Sequence, residues 1–137
     1  MGLSMAEFQG ALDRGEITFE GKPLLLKGDE TRVVDPATGG EKGAKDQRFS
    51  LIPCEFLWAL ATHYGIGARK YADRNWEKGY KWSLSYDALQ RHIHQWLSGE
   101  KHDPETGTHH LICAAWHCCA LFIFEKRGLG TDDLGRS

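Results

Sequence analysis

Long uninterrupted apolar runs are missing from this chain of 137 residues. The longest extends from Leu111 to Phe124, and His117 interrupts it. A membrane-spanning helix needs about 20 consecutive apolar residues, so no membrane span is expected. The opening MGLSMAEFQGALDRGE has neither a basic n-region nor an apolar h-region, and no signal peptide is expected. A strong charge of one sign is also absent. Lys and Arg number 17 against 19 Asp and Glu, a net charge of −2, so no global basic field draws in nucleic acid. The expectation is a soluble, cytoplasmic protein. The four cysteines, Cys54, Cys113, Cys118 and Cys119, never stand at CxxC spacing. They are expected to be reduced, buried and to act as small hydrophobes. A nucleophile elbow and a Walker A loop are lacking; TGGEKGAK (Thr38–Lys45) does not have the required spacing.

What is present suffices for one domain with a core, since 41% of the residues are hydrophobic. Residues 1–48 differ from the rest. MAEFQGALDRGE suits a short helix, Ile17–Glu20 and Leu24–Leu26 suit short strands, and Glu41–Arg48 reads as a polar arm. Residues 49–127 form the expected core domain. Pro53 opens a helix in which Leu57, Leu60, Ala61 and Tyr64 make the buried stripe, and Gly65 and Gly67 end it. GARKYADRNW reads as a short second helix. Ser85 is the expected N-cap of the next, with Tyr86, Leu89, Ile93, Trp96 and Leu97 as its stripe and Gly99 closing it. The last helix starts near Thr108 and runs to about Arg127; it is apolar nearly all round and is expected to be central. No internal repeat is evident, and residues 128–137 read as a flexible tail. The fold class is all-α: a small helical bundle with an irregular or β-hairpin N-terminal extension. Trp58, Trp96 and Trp116 are expected in its core, whereas Trp76 and Trp82 lie in a connection where a ring can stack on a base.

The connection between the last two helices, GEKHDPETGTHHL (Gly99–Leu111), carries three acidic residues and three histidines. Glu100 and Asp103 stand as ExxD; two close carboxylates offer oxygen ligands to Mg²⁺ or Mn²⁺. His110, Cys113 and His117 share one stripe of the last helix, and an antiparallel hairpin brings His92 near it. Such histidines can orient the carboxylates. The alternative is a capped loop with solvated charges and histidines satisfied by the backbone or by each other. A zinc site at His110, Cys113 and His117 lacks knuckle spacing, and His102-Asp103 is followed at once by Pro104, unlike the helical HD pair of HD phosphohydrolases. Lys42, Lys45, Arg48, Arg69, Lys70 and Arg74 are cations able to meet phosphates.

Three strings, TGGEKGAKDQRFSLIP, GARKYADRNWEKGYKWSLSYDALQRH and GEKHDPETGTHHL with CAAWH after it, resemble a phage-associated family, the N-terminal domain of dATP/dGTP diphosphohydrolases. By function that family is related to all-α MazG-type NTP pyrophosphatases. The resemblance covers about residues 33–125, and KYADRNWEKG and GExxDPETGxxHL are its most specific pieces. It implies metal-dependent hydrolysis of a purine deoxynucleoside triphosphate to monophosphate and pyrophosphate, in host cytoplasm if phage-encoded. In that reading Glu100, Asp103 and Glu55 hold Mg²⁺ or Mn²⁺, and His110 or His92 positions water or ligands. Lys70 and Arg74 hold phosphates; Asn75, Trp76 and Trp82 shape the base pocket. A homo-oligomer is implied as well. MazG-type enzymes pair an EExxE helix with ExxD, and here only Glu55 stands for the former, followed by Trp58 and Ala59. A non-catalytic module that sequesters a nucleotide, and a purely structural domain, are the alternatives.

Overall fold

The computed structural model describes residues 4–14, 18–19, 22–23 and 31–136, in two compact units that divide between Ile52 and Pro53. The first unit begins with α1 (Met5–Asp13). Its start is a capping box: the Glu7 N–H donates to Ser4 Oγ (3.1 Å) and the Ser4 N–H to Glu7 Oε2 (2.7 Å). Strand β1 (Thr18–Phe19) pairs antiparallel with β2 (Lys22–Pro23). The expected strand Leu24–Leu26 lies outside the described residues. Strand β3 (Thr31–Val34) pairs antiparallel with β4 (Glu41–Ala44), Thr31 opposite Ala44 and Val34 opposite Glu41. The polar arm thus supplies β4 with its first half.

A turn of six residues, DPATGG, closes this hairpin. Asp35 Oδ1 accepts from the N–H groups of Ala37 and Thr38 (2.8 and 2.9 Å), and the Gly39 N–H donates to Asp35 O. These contacts hold the Asp35 carboxyl below the usual carboxylate range, the Thr38 N–H first.

The second unit is helical: α2 (Cys54–Tyr71), a 3₁₀ turn at Asn75–Lys78, α3 (Trp82–Leu97) and α4 (His110–Arg127). Helices α3 and α4 form an antiparallel hairpin, with Ser85 across from His117 and His92 across from His110. Helix α4 is central as expected, burying His110, Ile112, Cys113, Ala114, Ala120 and Phe124.

Several local expectations need correction. Helix α2 does not stop at Gly65 and Gly67; it runs through both and absorbs the start of the expected second helix. A glycine costs a helix only about 1 kcal/mol, less than packing along α4 returns. The apolar stripe of α3 is turned outward. Ser85 and Ala88 are its buried residues, while Tyr86, Ile93, Trp96 and Leu97 are exposed. Leu57 and Trp58 of α2 are exposed too, the latter at 80%, so neither Trp58 nor Trp96 is a core residue. Spacing defines a stripe but not the neighbour it meets. Cys54 and Cys118 are likewise exposed, and only Cys113 is buried.

Ser85 is not the cap of α3, which starts three residues earlier. Asp133 takes that place, accepting from the Ser83 N–H (2.9 Å) and the Ser83 hydroxyl (2.6 Å). The segment expected to be loose is therefore tied down. The Trp82 N–H donates to Thr131 O, the Thr131 N–H to Tyr80 O, and the Trp82 indole N–H to Leu129 O. This close approach needs Gly79 (φ +83°) and Gly130 (φ +69°): a Cβ on Gly79 would lie 2.4 Å from the Gly130 nitrogen.

Candidate functional site

The returning loop repeats, residue for residue, the turn geometry at Asp35. In DPETGT the Gly107 N–H donates to Asp103 O, the Asp103 N–H to Thr108 O, and the Thr108 N–H to Thr106 Oγ1. The matching bonds in DPATGG are Gly39 to Asp35, Asp35 to Gly40 and Gly40 to Thr38 Oγ1. DPxTG is thus a short local repeat, not expected from the sequence, and it folds as the same turn in both units. At the second copy Asp103 Oδ2 accepts from the Thr106 hydroxyl (2.8 Å). Burial pushes the Asp103 carboxyl up, but the Thr106 hydroxyl, the Glu105 N–H and the His92 ring together hold it below its ordinary range.

Where the histidines fall is set by the hairpin. His110, in the first turn of α4, is 0% exposed. Its Nε2 lies 2.7 Å from Glu100 Oε1, and its Nδ1 lies 2.9 Å from His92 Nδ1. His92 stacks on His117 with centroids 5.8 Å apart. His117 Nδ1 lies 3.0 Å from Ser85 Oγ, which is 2.6 Å from the Tyr80 hydroxyl. A polar strip thus crosses the α3–α4 seam from Glu100 to Tyr80. On α2, His63 Nδ1 meets Thr108 Oγ1 at 2.8 Å. Burial lowers the pKa values of His63 and His92 and pushes that of His117 down to about 4. These rings are neutral at pH 7 and have lone pairs to offer. Burial also raises the Cys113 thiol to about 11, so no thiolate forms there at neutral pH.

This strip forms one wall of a cavity of about 990 Å³ between α2, the 3₁₀ turn, α3, α4 and the DPETGT loop. His63, His92, His117, Ser85 and Asp103 line that wall, and Tyr64, Trp76, Tyr80 and Trp116 line the aromatic one. Trp76 and Trp116 meet edge to face, their centroids 6.0 Å apart. Cations stand at the rim. Lys70 is paired with Glu105 and Arg127 with Glu77 (3.6 Å), whereas the Arg74 guanidinium has no ion-pair partner among the described residues. The rim is strained. Ala72 (φ 137°, ψ 161°) and Arg74 (φ 58°, ψ 20°) are the non-glycine residues at positive φ among the described residues; such conformations cost about 1–3 kcal/mol each and recur where a ligand is clamped.

Of the candidates read from sequence, His92, Asp103, Lys70, Arg74, Asn75 and Trp76 line this cavity. Glu100 and His110 do not; they stand behind His92. Trp82 is turned to the C-terminal segment, with the Arg136 guanidinium 5.4 Å from its ring centroid. Glu55 lies in the first turn of α2, eight residues and so about 12 Å of helix from His63. It cannot share an ion with Asp103, whose neighbour Thr108 is bonded to His63. Among the described residues no three His, Cys, Asp or Glu side chains are grouped to hold a metal. A protein-built cluster of Glu55, Glu100 and Asp103 does not fit this geometry: Glu100 is engaged by His110 and Glu55 is remote. Sequence reasoning missed His63, Tyr64, Ser85, Tyr80 and Trp116. Each is a polar or aromatic residue on a helix face or helix start, and only the arrangement of three helices distinguishes such residues from core.

The family described as "dATP/dGTP diphosphohydrolase, N-terminal" matches residues 36–134. A protein of Salmonella phage PMBT28 named "dATP/dGTP diphosphohydrolase" is 39% identical over 84 residues, 61% of this chain and 29% of the relative. The chain therefore matches less than a third of that relative's length. No solved structure matches. Among the described residues no helix is long and apolar enough to cross a membrane.

Proposed function

This chain belongs to the dATP/dGTP diphosphohydrolase N-terminal family, and on that premise we propose that it takes a purine deoxynucleoside triphosphate into the 990 Å³ cavity and hydrolyses it to the monophosphate and pyrophosphate. One observation carries the reading. A single cavity joins an aromatic wall suited to a flat base, rim cations suited to phosphates, and a wall of neutral histidines beside one carboxylate. Trp76 and Tyr64 would hold the base, and Arg74, with no acidic partner among the described residues, would hold the phosphates together with Lys70. Asn75 has donors and acceptors for the base edge. Water attacks the α-phosphorus, a new P–O bond forms, and the bond to the bridging oxygen breaks as pyrophosphate leaves.

The substrate in this reading is the Mg²⁺ or Mn²⁺ complex of the triphosphate. Mg²⁺ commonly needs only one or two protein carboxylates when phosphates supply the other oxygens, and Asp103 is the carboxylate on the histidine wall. The protein would act in the cytoplasm, that of the host if phage-encoded, and as a homo-oligomer. Support for the oligomer is the unpaired apolar stripe of α3, Tyr86, Ile93, Trp96 and Leu97. The second reading, a non-catalytic module that sequesters a nucleotide, is favoured by the engagement of Glu100 with His110 and of Asp103 with Thr106.

Incubating the full chain with a dNTP panel and Mg²⁺ or Mn²⁺, with the products resolved by ion-exchange chromatography, separates these readings. Release of dAMP or dGMP with pyrophosphate is the expected result. Unchanged dNTP retained by the protein would establish the sequestering module, and neither turnover nor retention would sink both.

A further inference from the structure

Three side chains in the α3–α4 hairpin have a hydrogen-bonding order that fixes where one lone pair points. Glu100, as a carboxylate, only accepts. His110 Nε2, 2.7 Å away, must therefore carry the hydrogen. In a neutral ring His110 Nδ1 is then an acceptor, so the hydrogen in the 2.9 Å contact between the two Nδ1 atoms belongs to His92. That leaves His92 Nε2 as the unprotonated nitrogen. Among the described residues no buried side-chain nitrogen or oxygen lacks a partner. His92 Nε2 has none, so this nitrogen is open to solvent, and its ring lines the cavity.

We infer that Glu100 and His110 are a positioning pair that locks His92 as its Nδ1–H tautomer, and that His92 Nε2 is the base that takes the proton from the attacking water. The inference rests on the hydrolytic reading above and assigns the roles within it. It moves Glu100 from cation ligand to orienting carboxylate, and it divides the two histidines into one that touches the reacting water and one that does not. The groups around His92 agree with a neutral acceptor. Burial opposes a positive charge on it most, His110 of α4, His63 of α2 and Arg91 of α3 oppose it as well, and Asp103 alone favours it.

Long-range ¹H–¹⁵N correlation spectra of the full chain at pH 7.5 test the tautomers without reference to activity. His92 should show a protonated Nδ1 and a bare Nε2, and His110 the reverse. A protonated His92 Nε2, or a His110 ring protonated on both nitrogens, would overturn the inference. On turnover, His92→Ala and His92→Gln should each lose about 10²- to 10⁴-fold in kcat. Glu100→Ala should lose about 10- to 100-fold in kcat with KM unchanged, and Glu100→Gln, which keeps an accepting oxygen, should recover most of that loss. Glu100 is nearly half exposed and packs little of the core, and Glu100→Gln keeps the buried His110 N–H partnered, so it separates the orienting role from a loss of stability. Wild-type kcat in a folded His92 variant would overturn the base role while leaving the hydrolytic reading intact. Wild-type protein with the stated tautomers but no turnover of any dNTP would overturn both the base role and that reading.

Discussion

At the scale of single residues, the histidines of the second unit couple its stability to pH. Burial first, and then the neighbouring His92, His63 and Arg91, depress His117 to about 4, against 6.5 for an unperturbed ring. The unfolded chain therefore takes up this proton before the folded one does. The contribution is complete above pH 6.5 and is lost as the pH falls towards 4, a total of at most about 3 kcal/mol. His63 and His92, also depressed, act in the same direction. The urea midpoint should fall steadily between pH 6.5 and 4, and His117→Asn should flatten that slope. An unchanged slope in the variant would place the coupling elsewhere. Asp103 and Thr106 separate turn from chemistry. Thr106→Val removes the hydroxyl that donates to Asp103 and accepts from Thr108, and should cost about 1–2 kcal/mol of stability. Asp103→Asn retains an accepting oxygen, so melting should change little while turnover falls sharply. If turnover is retained, Asp103 serves the turn alone, as Asp35 does in DPATGG.

At the scale of elements, two glycine substitutions should act in opposite directions. Gly65 lies inside α2 with open space where a Cβ would go. Gly65→Ala should therefore raise stability by about 1 kcal/mol. Gly130 lies against the Tyr80 backbone, where a Cβ would meet the carbonyl oxygen at 2.2 Å. Gly130→Ala should release the segment that caps α3 through Asp133 and lower stability by more than about 1 kcal/mol. Chemical denaturation of the two variants beside wild type measures both. Helices α3 and α4 were legible because their apolar residues recur at helical spacing, and α4 was recognisable as central because it is apolar on most sides. The length of α2 was not legible. Local propensity at Gly65 and Gly67 favours a break by a small margin, and a contact with a distant helix overrides it. The N-terminal end of α3 was hidden for a related reason: its cap comes from Asp133, 50 residues away.

At the scale of the molecule, the outward stripe of α3 leads to a prediction about assembly. Trp96 and Leu97 are 42% and 72% exposed on a helix whose inner face is Ser85 and Ala88. A second copy covering this stripe would remove large apolar side chains from water at about 25 cal/mol per Å². Light scattering at micromolar concentration should give at least a dimer, and Trp96→Glu with Leu97→Glu should give a folded monomer. A wild-type monomer would contradict the assembly.

The sequence alone determined the features that local spacing and side-chain chemistry dictate. The helical core, the hairpin of its last two helices and the family were readable, and so were His92, Asp103, Lys70, Arg74, Asn75 and Trp76 as residues of interest. Periodicity and turn chemistry act within a few residues, and these features are made at that range. Tertiary structure alone decided which of the two carboxylates of GEKHD reaches the cavity. Glu100 and Asp103 are three positions apart in a loop, and no rule of spacing says that one is bonded to a buried imidazole while the other closes a turn beside the cavity. That depends on how α4 is rotated against α3, and the rotation is set by the small face of Ser85 and Ala88, which lets the two helices approach and turns the larger apolar stripe away.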